Sequence, residues 1–470
     1  MRRMLTKIDR RAAILFAGVF CLSLLTSALL LCNNALLNHT VIISDGIGYY
    51  LYLPAAFIHH DMTMAWEVAR PAALTSYTYL DRYAIGMAVL WVPFFLAGHA
   101  MTLLTGHIAD GFTIWYQAAI ACAGAFYTAL GCVFTYLLLR RYFSTRVSYF
   151  TVLTICIGTN LYFYATGNAS YSHAGSFCLT AAVLYLTPVW YERLSYGTSL
   201  LLAIALGLAT MVRPTNALVV LAWALWNIAS WSQLAGRLQL FWRQRAKMVL
   251  MAIVSVATLS PQFWYWHLIT GKWITYSYGG ATFTNILHPQ LVNILFSVER
   301  GLFFWAPVLV LSLTGFFLLP RYLKEWATPL YVLALVFWYL MASWVVWNFG
   351  DSYGHRAFID IYPALALPMA VVYERTRTKS IKAQRTVIAF VCLCIFASLF
   401  LTYQYLGGVL PGHGVDWALY LHIWHTGISG FVTYGLTYGF LGMLAVACLT
   451  LGPVTYYFVT AKESARHIAS

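Results

Sequence analysis

Apolar residues fall along this chain in long unbroken runs, separated by short polar turns. The runs lie at 12–32, 113–139, 147–165, 172–190, 198–212, 214–230, 248–269, 302–319, 327–346, 357–373, 386–406 and 431–459. Most reach the ~20 residues that an α-helix needs to cross a hydrocarbon core. They predict an all-α polytopic membrane protein with about 12 transmembrane helices. A thirteenth run, 84–104, has the same composition but a different setting. The first run, at 21 residues, is too long for a signal-peptide core, and no A-x-A cleavage pattern follows it.

The placement of charge settles the thirteenth run. Cytoplasmic loops carry the excess of Lys and Arg. If 84–104 lies at the outer interface rather than spanning, 22 of the 28 Lys and Arg fall inside. They include Arg2, Arg3, Lys7, Arg10 and Arg11, then Arg140, Arg141 and Arg146, and later Arg375, Arg377, Lys379, Lys382 and Arg385. If it spans, the Arg140 cluster lands outside. The expectation is therefore an interfacial helix within a long first outer loop, 33–112, and both termini in the cytoplasm. The whole chain, 1–470, reads as a single transmembrane domain with no separate soluble domain.

Composition agrees. Charged residues make up 9% and hydrophobic ones 61%, against roughly 25% charged in soluble domains. The net charge of +14 serves orientation and anionic lipid contact, and does not signal nucleic acid. All nine cysteines sit in apolar runs with no zinc-ligand spacing.

The acids and histidines are lopsided. Nine of fourteen acids and twelve of thirteen histidines fall on the outer side, and no carboxylate lies at the midpoint of a run. Chemistry is expected at the outer face. Asp45, in Ser44-Asp45-Gly46-Ile47-Gly48-Tyr49-Tyr50, is either a general base beside Tyr49 and Tyr50 or a helix cap. The two glycines there would give the backbone unusual φ values and a close approach to a ligand. Arg82 opens the interfacial run, where a lipid phosphate would meet free N–H groups. His173 follows the polar turn Gly167 to Ser172 and could bind a sugar hydroxyl or phosphate. Arg213-Pro214 joins two runs with almost no loop, a costly place for a cation without an anion. Trp347 to Pro363 holds Asp351, His355, Arg356 and Asp360 at one outer turn, and Arg300-Gly301 repeats an Arg at a helix start.

Three features lie in sequence order: Asp45 early in a long first outer loop, the Tyr136-to-Phe143 end of the run that follows the interfacial segment, and Arg213-Pro214. In these the chain resembles the GT-C superfamily of integral-membrane glycosyltransferases. The branch it is most similar to is the family 39-like one, with protein O-mannosyltransferases and the lipid A aminoarabinose transferase. The likeness covers about residues 1–375 in layout. It departs from that branch in three ways: Asp45 is followed by Gly rather than a second acid, Arg82-Tyr83-Ala84 replaces Lys-Pro-Pro, and no large C-terminal outer domain follows.

The resemblance implies a transferase of the bacterial inner membrane. It would move a sugar from a polyprenyl-phosphate donor to a glycan, lipid or protein acceptor at the outer face, with inversion. Asp45 would be the base. Arg82, Arg213, Arg300 and Arg356 would hold the donor phosphate, and Tyr49, Tyr50, His173, Asp351 and His355 would bind substrate. No cofactor is required; a divalent metal is possible but not indicated. The alternatives are a transporter or flippase for a lipid-linked sugar, a polymerase or ligase using a lipid-linked oligosaccharide, and a non-catalytic scaffold.

Overall fold

The computed structural model describes residues 10–32, 40–66 and 80–433. These form helices and connecting turns, with no β-strand among them. Seven helices are long and apolar enough to cross a membrane: Arg10–Cys32, Gly86–Leu104, Ile114–Leu139, His173–Arg193, Lys324–Ser343, Arg356–Lys379 and Ile381–Leu406. Arg245–Thr258 and Ser260–Thr270, bent by 45°, would make an eighth as one broken span. The run at 431–459 lies outside the described residues, apart from its first three.

Several expected spans are broken pieces, and the breaks have local causes. The run 302–319 divides into Leu302–Trp305, Pro307–Leu309 and Val310–Phe316, because Pro307 lacks the N–H that would continue the ladder. The run 214–230 is a short 3₁₀ turn, Pro214–Val219, followed by only Val220–Ala224. The run 147–165 stops at Ile157 and restarts at Leu161, around Gly158. Trp231–Arg243, between two of the apolar runs, is an amphipathic helix with no buried residue.

The helices pack side by side with two distinct ends. At one end Arg11 donates to the Thr145 hydroxyl at 2.7 Å, and Arg141 pairs with Glu192. At the other, the N–H groups of Val41 and Ile42 both donate to Gln117 Oε1 at 3.0 Å. Helix Arg10–Cys32 therefore runs antiparallel to Ile114–Leu139.

Helix Gly86–Leu104 runs antiparallel along the first half of Ile114–Leu139: near its start the Leu90 carbonyl accepts the Tyr127 hydroxyl at 2.7 Å, and just past its end the Thr105 hydroxyl accepts the Trp115 indole N–H at 2.7 Å. Tyr83, just before it, packs on the Tyr49 ring at 4.7 Å and accepts the Tyr52 hydroxyl at its carbonyl, 2.5 Å. Gly111, just after it, accepts the Tyr50 hydroxyl and lies against Pro54. Both flanks thus rest on one short helix, Asp45–Pro54, which is only about 15 Å long.

Candidate active site

Four segments meet where Asp45–Pro54 begins. The chain enters this helix through Ser44, whose φ of 50° lies in the left-handed region, an uncommon state for a residue with a side chain. Asp45 stands in the first turn, but its side chain caps nothing. Oδ2 lies 2.7 Å from Arg356 Nη1, and the carboxylate also takes the Tyr83 hydroxyl. Burial pushes the Asp45 carboxyl up, yet Arg356 and Tyr83 together outweigh it and hold the group below its ordinary range. In turn burial and the Asp45 charge push the Tyr83 hydroxyl well up, so it stays a donor.

Gly46 serves close packing rather than an unusual φ. A Cβ there would lie 2.6 Å from Ser170 Cβ. Ser170 is itself fixed by donating to the Val41 carbonyl at 2.6 Å. The turn before helix His173–Arg193 is thereby locked onto the approach to Asp45.

A second cluster sits beside the first. Asp360, fully buried on the 3₁₀ turn Arg356–Ile361, lies 3.1 Å from His173 Nδ1 and 3.2 Å from Arg213 Nε. Arg213 Nη1 also comes within 3.3 Å of His173 Nδ1. Arg213 reaches this place because Pro214 forces the residue before it out of the helix and into extended backbone. A buried carboxylate is costly unless paired, and here an arginine and a histidine pair it. Ser172 Oγ donates to the Tyr49 hydroxyl at 3.2 Å, which links the two clusters.

Both clusters border one cavity of about 300 Å³. Asp45, Tyr49, Arg82, His173, Arg213 and Arg356 line it, with Tyr83, Tyr171, Tyr278, Trp344 and Phe349 among the aromatic walls. Arg356 lies over the Tyr171 ring at 5.1 Å and donates to the Phe349 carbonyl at 3.1 Å. Arg82 Nε is buried with no hydrogen-bond partner among the described residues. Three cations and one carboxylate thus share a single space, an arrangement suited to an anion beside a proton acceptor.

The structure does not bring the other four expected residues to this cavity. The Tyr50 hydroxyl turns away to the Gly111 carbonyl. Arg300 is fully buried elsewhere, its guanidinium held by the carbonyls of Glu299, Pro411 and Gly412 and lying over Trp305 at 5.2 Å. Asp351 pairs with His413 at an exposed site. His355 is packed between Phe349 and Phe358 with Nε2 3.0 Å from the Trp347 carbonyl. Burial pushes its imidazole down to about 3, so it is neutral. Asp360, named in the sequence only as part of a polar turn, is instead the hub of the second cluster. Among the described residues no three His, Cys, Asp or Glu side chains gather as metal ligands would.

The fold of the described residues is GT-C-like. It is similar to the structure of ArnT from Cupriavidus metallidurans bound to undecaprenyl phosphate, at 12% identity and a TM-score of 0.50, over 96% of this chain and 78% of that one. The archaeal oligosaccharyltransferase AglB from Archaeoglobus fulgidus, in complex with an inhibitory peptide and a dolichol-phosphate, is similar at 13% identity and a TM-score of 0.44. There the match covers 94% of this chain and 59% of that one. No family model and no curated sequence matches the chain.

Proposed function

We propose that this protein is a membrane glycosyltransferase that takes a sugar from a polyprenyl-phosphate donor and passes it to an acceptor hydroxyl at the outer face. The observation that carries the proposal is the convergence of Asp45 with Arg82, Arg213 and Arg356 on one cavity. The GT-C fold and the undecaprenyl phosphate held by ArnT support it. The count of 22 of 28 Lys and Arg on the inner side supports an outer place for Asp45.

In the reaction, Asp45 takes the proton of the acceptor hydroxyl as its oxygen attacks the anomeric carbon. The bond from that carbon to the phosphate oxygen breaks, and the polyprenyl phosphate leaves with inversion. The arginines stabilise the charge that develops on the leaving oxygen. Asp45 stays paired with Arg356 through Oδ2 and takes the proton on its other oxygen. The cavity is at the small end for a ligand site, which suits one sugar rather than an oligosaccharide. A neighbouring groove of about 420 Å³, lined by Leu53, Phe57, Ile85, Val89 and Trp264, shares helix Asp45–Pro54 with the cavity and offers the prenyl chain an apolar path.

The test is release of polyprenyl phosphate by the purified protein in nanodiscs. Polyprenyl-phosphoryl hexoses and pentoses would serve as donors and a membrane glycolipid extract as acceptor source. Turnover that Asp45→Asn lowers by at least ~10² supports the proposal. Failure to turn over any donor overturns it.

A further inference from the structure

We infer that the donor carries a neutral sugar, not one bearing an ammonium group. This rests on the transferase proposal and extends it to the substrate class.

The inference comes from the charges at the cavity. Among the described residues, Asp45 and the three arginines line it, and Asp360 backs it through His173 and Arg213. Asp45 pairs with Arg356, and Asp360 with Arg213. Both carboxylates are thereby committed, and Arg82 remains as the unmatched cation, its Nε buried without a hydrogen-bond partner. Asp81, next to it, is not part of the lining. Its carboxylate accepts the Tyr83 N–H at 2.8 Å, and its own N–H is held by the Tyr265 hydroxyl. Among the described residues, the lining side chains and the Asp360 paired with Arg213 thus carry an excess of one positive charge.

A phosphodiester-linked donor brings one negative charge and balances that excess. A neutral sugar leaves the balance intact. An amino sugar adds a cation among three arginines with, among the described lining residues, no uncommitted carboxylate to receive it, and an unpaired charge in a partly buried site is costly. Aromatic faces could attract an ammonium instead. Two of those in the cavity, Tyr171 and Phe349, already lie under Arg356, at 5.1 and 5.9 Å.

Binding of farnesyl-phosphoryl-glucose and farnesyl-phosphoryl-glucosamine to the purified full chain in nanodiscs tests the inference. The two probes differ at a single position. Below the amine's own titration range, glucose should bind at least ~10-fold more tightly; above it, where the amine is neutral, the gap should close. Arg82→Gln should narrow the gap at low pH. Equal or tighter binding of the charged glucosamine probe overturns the inference, while transfer from the glucose probe would leave the transferase proposal standing. Tighter glucose binding without transfer supports the charge inference and sinks the transferase proposal. Binding of neither probe overturns both.

Discussion

Asp45 Oδ2 rests 2.7 Å from Arg356 Nη1, and the two side chains keep 26% and 12% of their exposure. The pair is neither sealed in the core nor free in solvent, so a ligand entering the cavity can reach both partners. A general base in this position predicts that Asp45→Asn abolishes transfer while expression and donor binding persist. Asn keeps the shape and loses the charge. A loss below ~10² in rate would argue for a structural carboxylate. Asp61→Asn is the control, since Asp61 only caps the Thr63 turn, at 2.9 Å from its N–H, and activity should be close to normal.

The same pair predicts a pH signature. Arg356 and Tyr83 hold the Asp45 carboxyl below its ordinary value of 3.8. Its charge therefore contributes stability that is fully present above the unfolded-state value and is lost as pH falls through the depressed native one. Activity should accordingly have no carboxylate-dependent fall above about pH 5. In Arg356→Gln the upward push of burial loses its main opponent. The acid limb of the rate profile should then move up in pH. An unmoved limb, with residual activity measurable, would separate Asp45 from the rate.

Asp360 makes a different prediction. Its pairing with Arg213 and His173 is fully buried on the carboxylate side. Asp360→Asn leaves Arg213 without its counter-charge, and breaking a buried pair costs about 3–5 kcal/mol. A clear drop in thermal midpoint in detergent is expected, with a raised KM for donor as Arg213 loses its orientation. Arg213→Gln in the same background should recover part of the lost stability. No recovery would mean that the two side chains are not energetically coupled.

Gly86 fixes the start of its helix against the main chain of Met211 and Val212, where an added Cβ would collide with backbone that cannot swing aside. Gly86→Ala should displace the Arg82–Tyr83 turn from the Arg213 turn and lower both activity and thermal midpoint. Gly18→Ala, at a position with open space, is the matched control and should change neither.

Topology is open to labelling. In a cysteine-free background, a cysteine at position 144 should react with a permeant maleimide and resist an impermeant one in intact cells. The basis is the count of 22 Lys and Arg placed inside and the Arg11–Thr145 contact, which puts both segments at one end of the bundle. Labelling by the impermeant reagent would reverse the orientation from residue 84 onward.

The helical class was legible because a hydrocarbon core demands long apolar runs, and those leave no other interpretation. Helix breaks were harder to see. Pro307 and Pro214 are plain in the sequence, but an apolar window averages over them. Asp45, Arg82, Arg213 and Arg356 stood out since a charge at a membrane edge needs a reason. The same logic misplaced Arg300, because nothing local indicates that the carbonyls of Pro411 and Gly412, more than a hundred residues later, come back to receive it. Tyr83, Tyr171 and Tyr278 gave no signal of their own. In a chain with 33 tyrosines, aromatic residues near span ends read as an interfacial belt. Asp360 was visible only as one acid among several, since its role depends on two partners from separate helices.

The pairing of Asp45 with Arg356 also has a consequence in time. The two residues leave the ribosome roughly 300 residues apart, which at about 5–20 residues per second is roughly 15–60 s. Through that interval Asp45 has no arginine from the later segment to meet. Arg213 waits in the same way for Asp360. A polypeptide truncated anywhere before residue 356 would carry Asp45 and Arg213 without Arg356 or Asp360 to pair them. Arrival of the single turn from Arg356 to Asp360 neutralises both early residues at once, so the two halves of the site are completed by one event in the life of the chain.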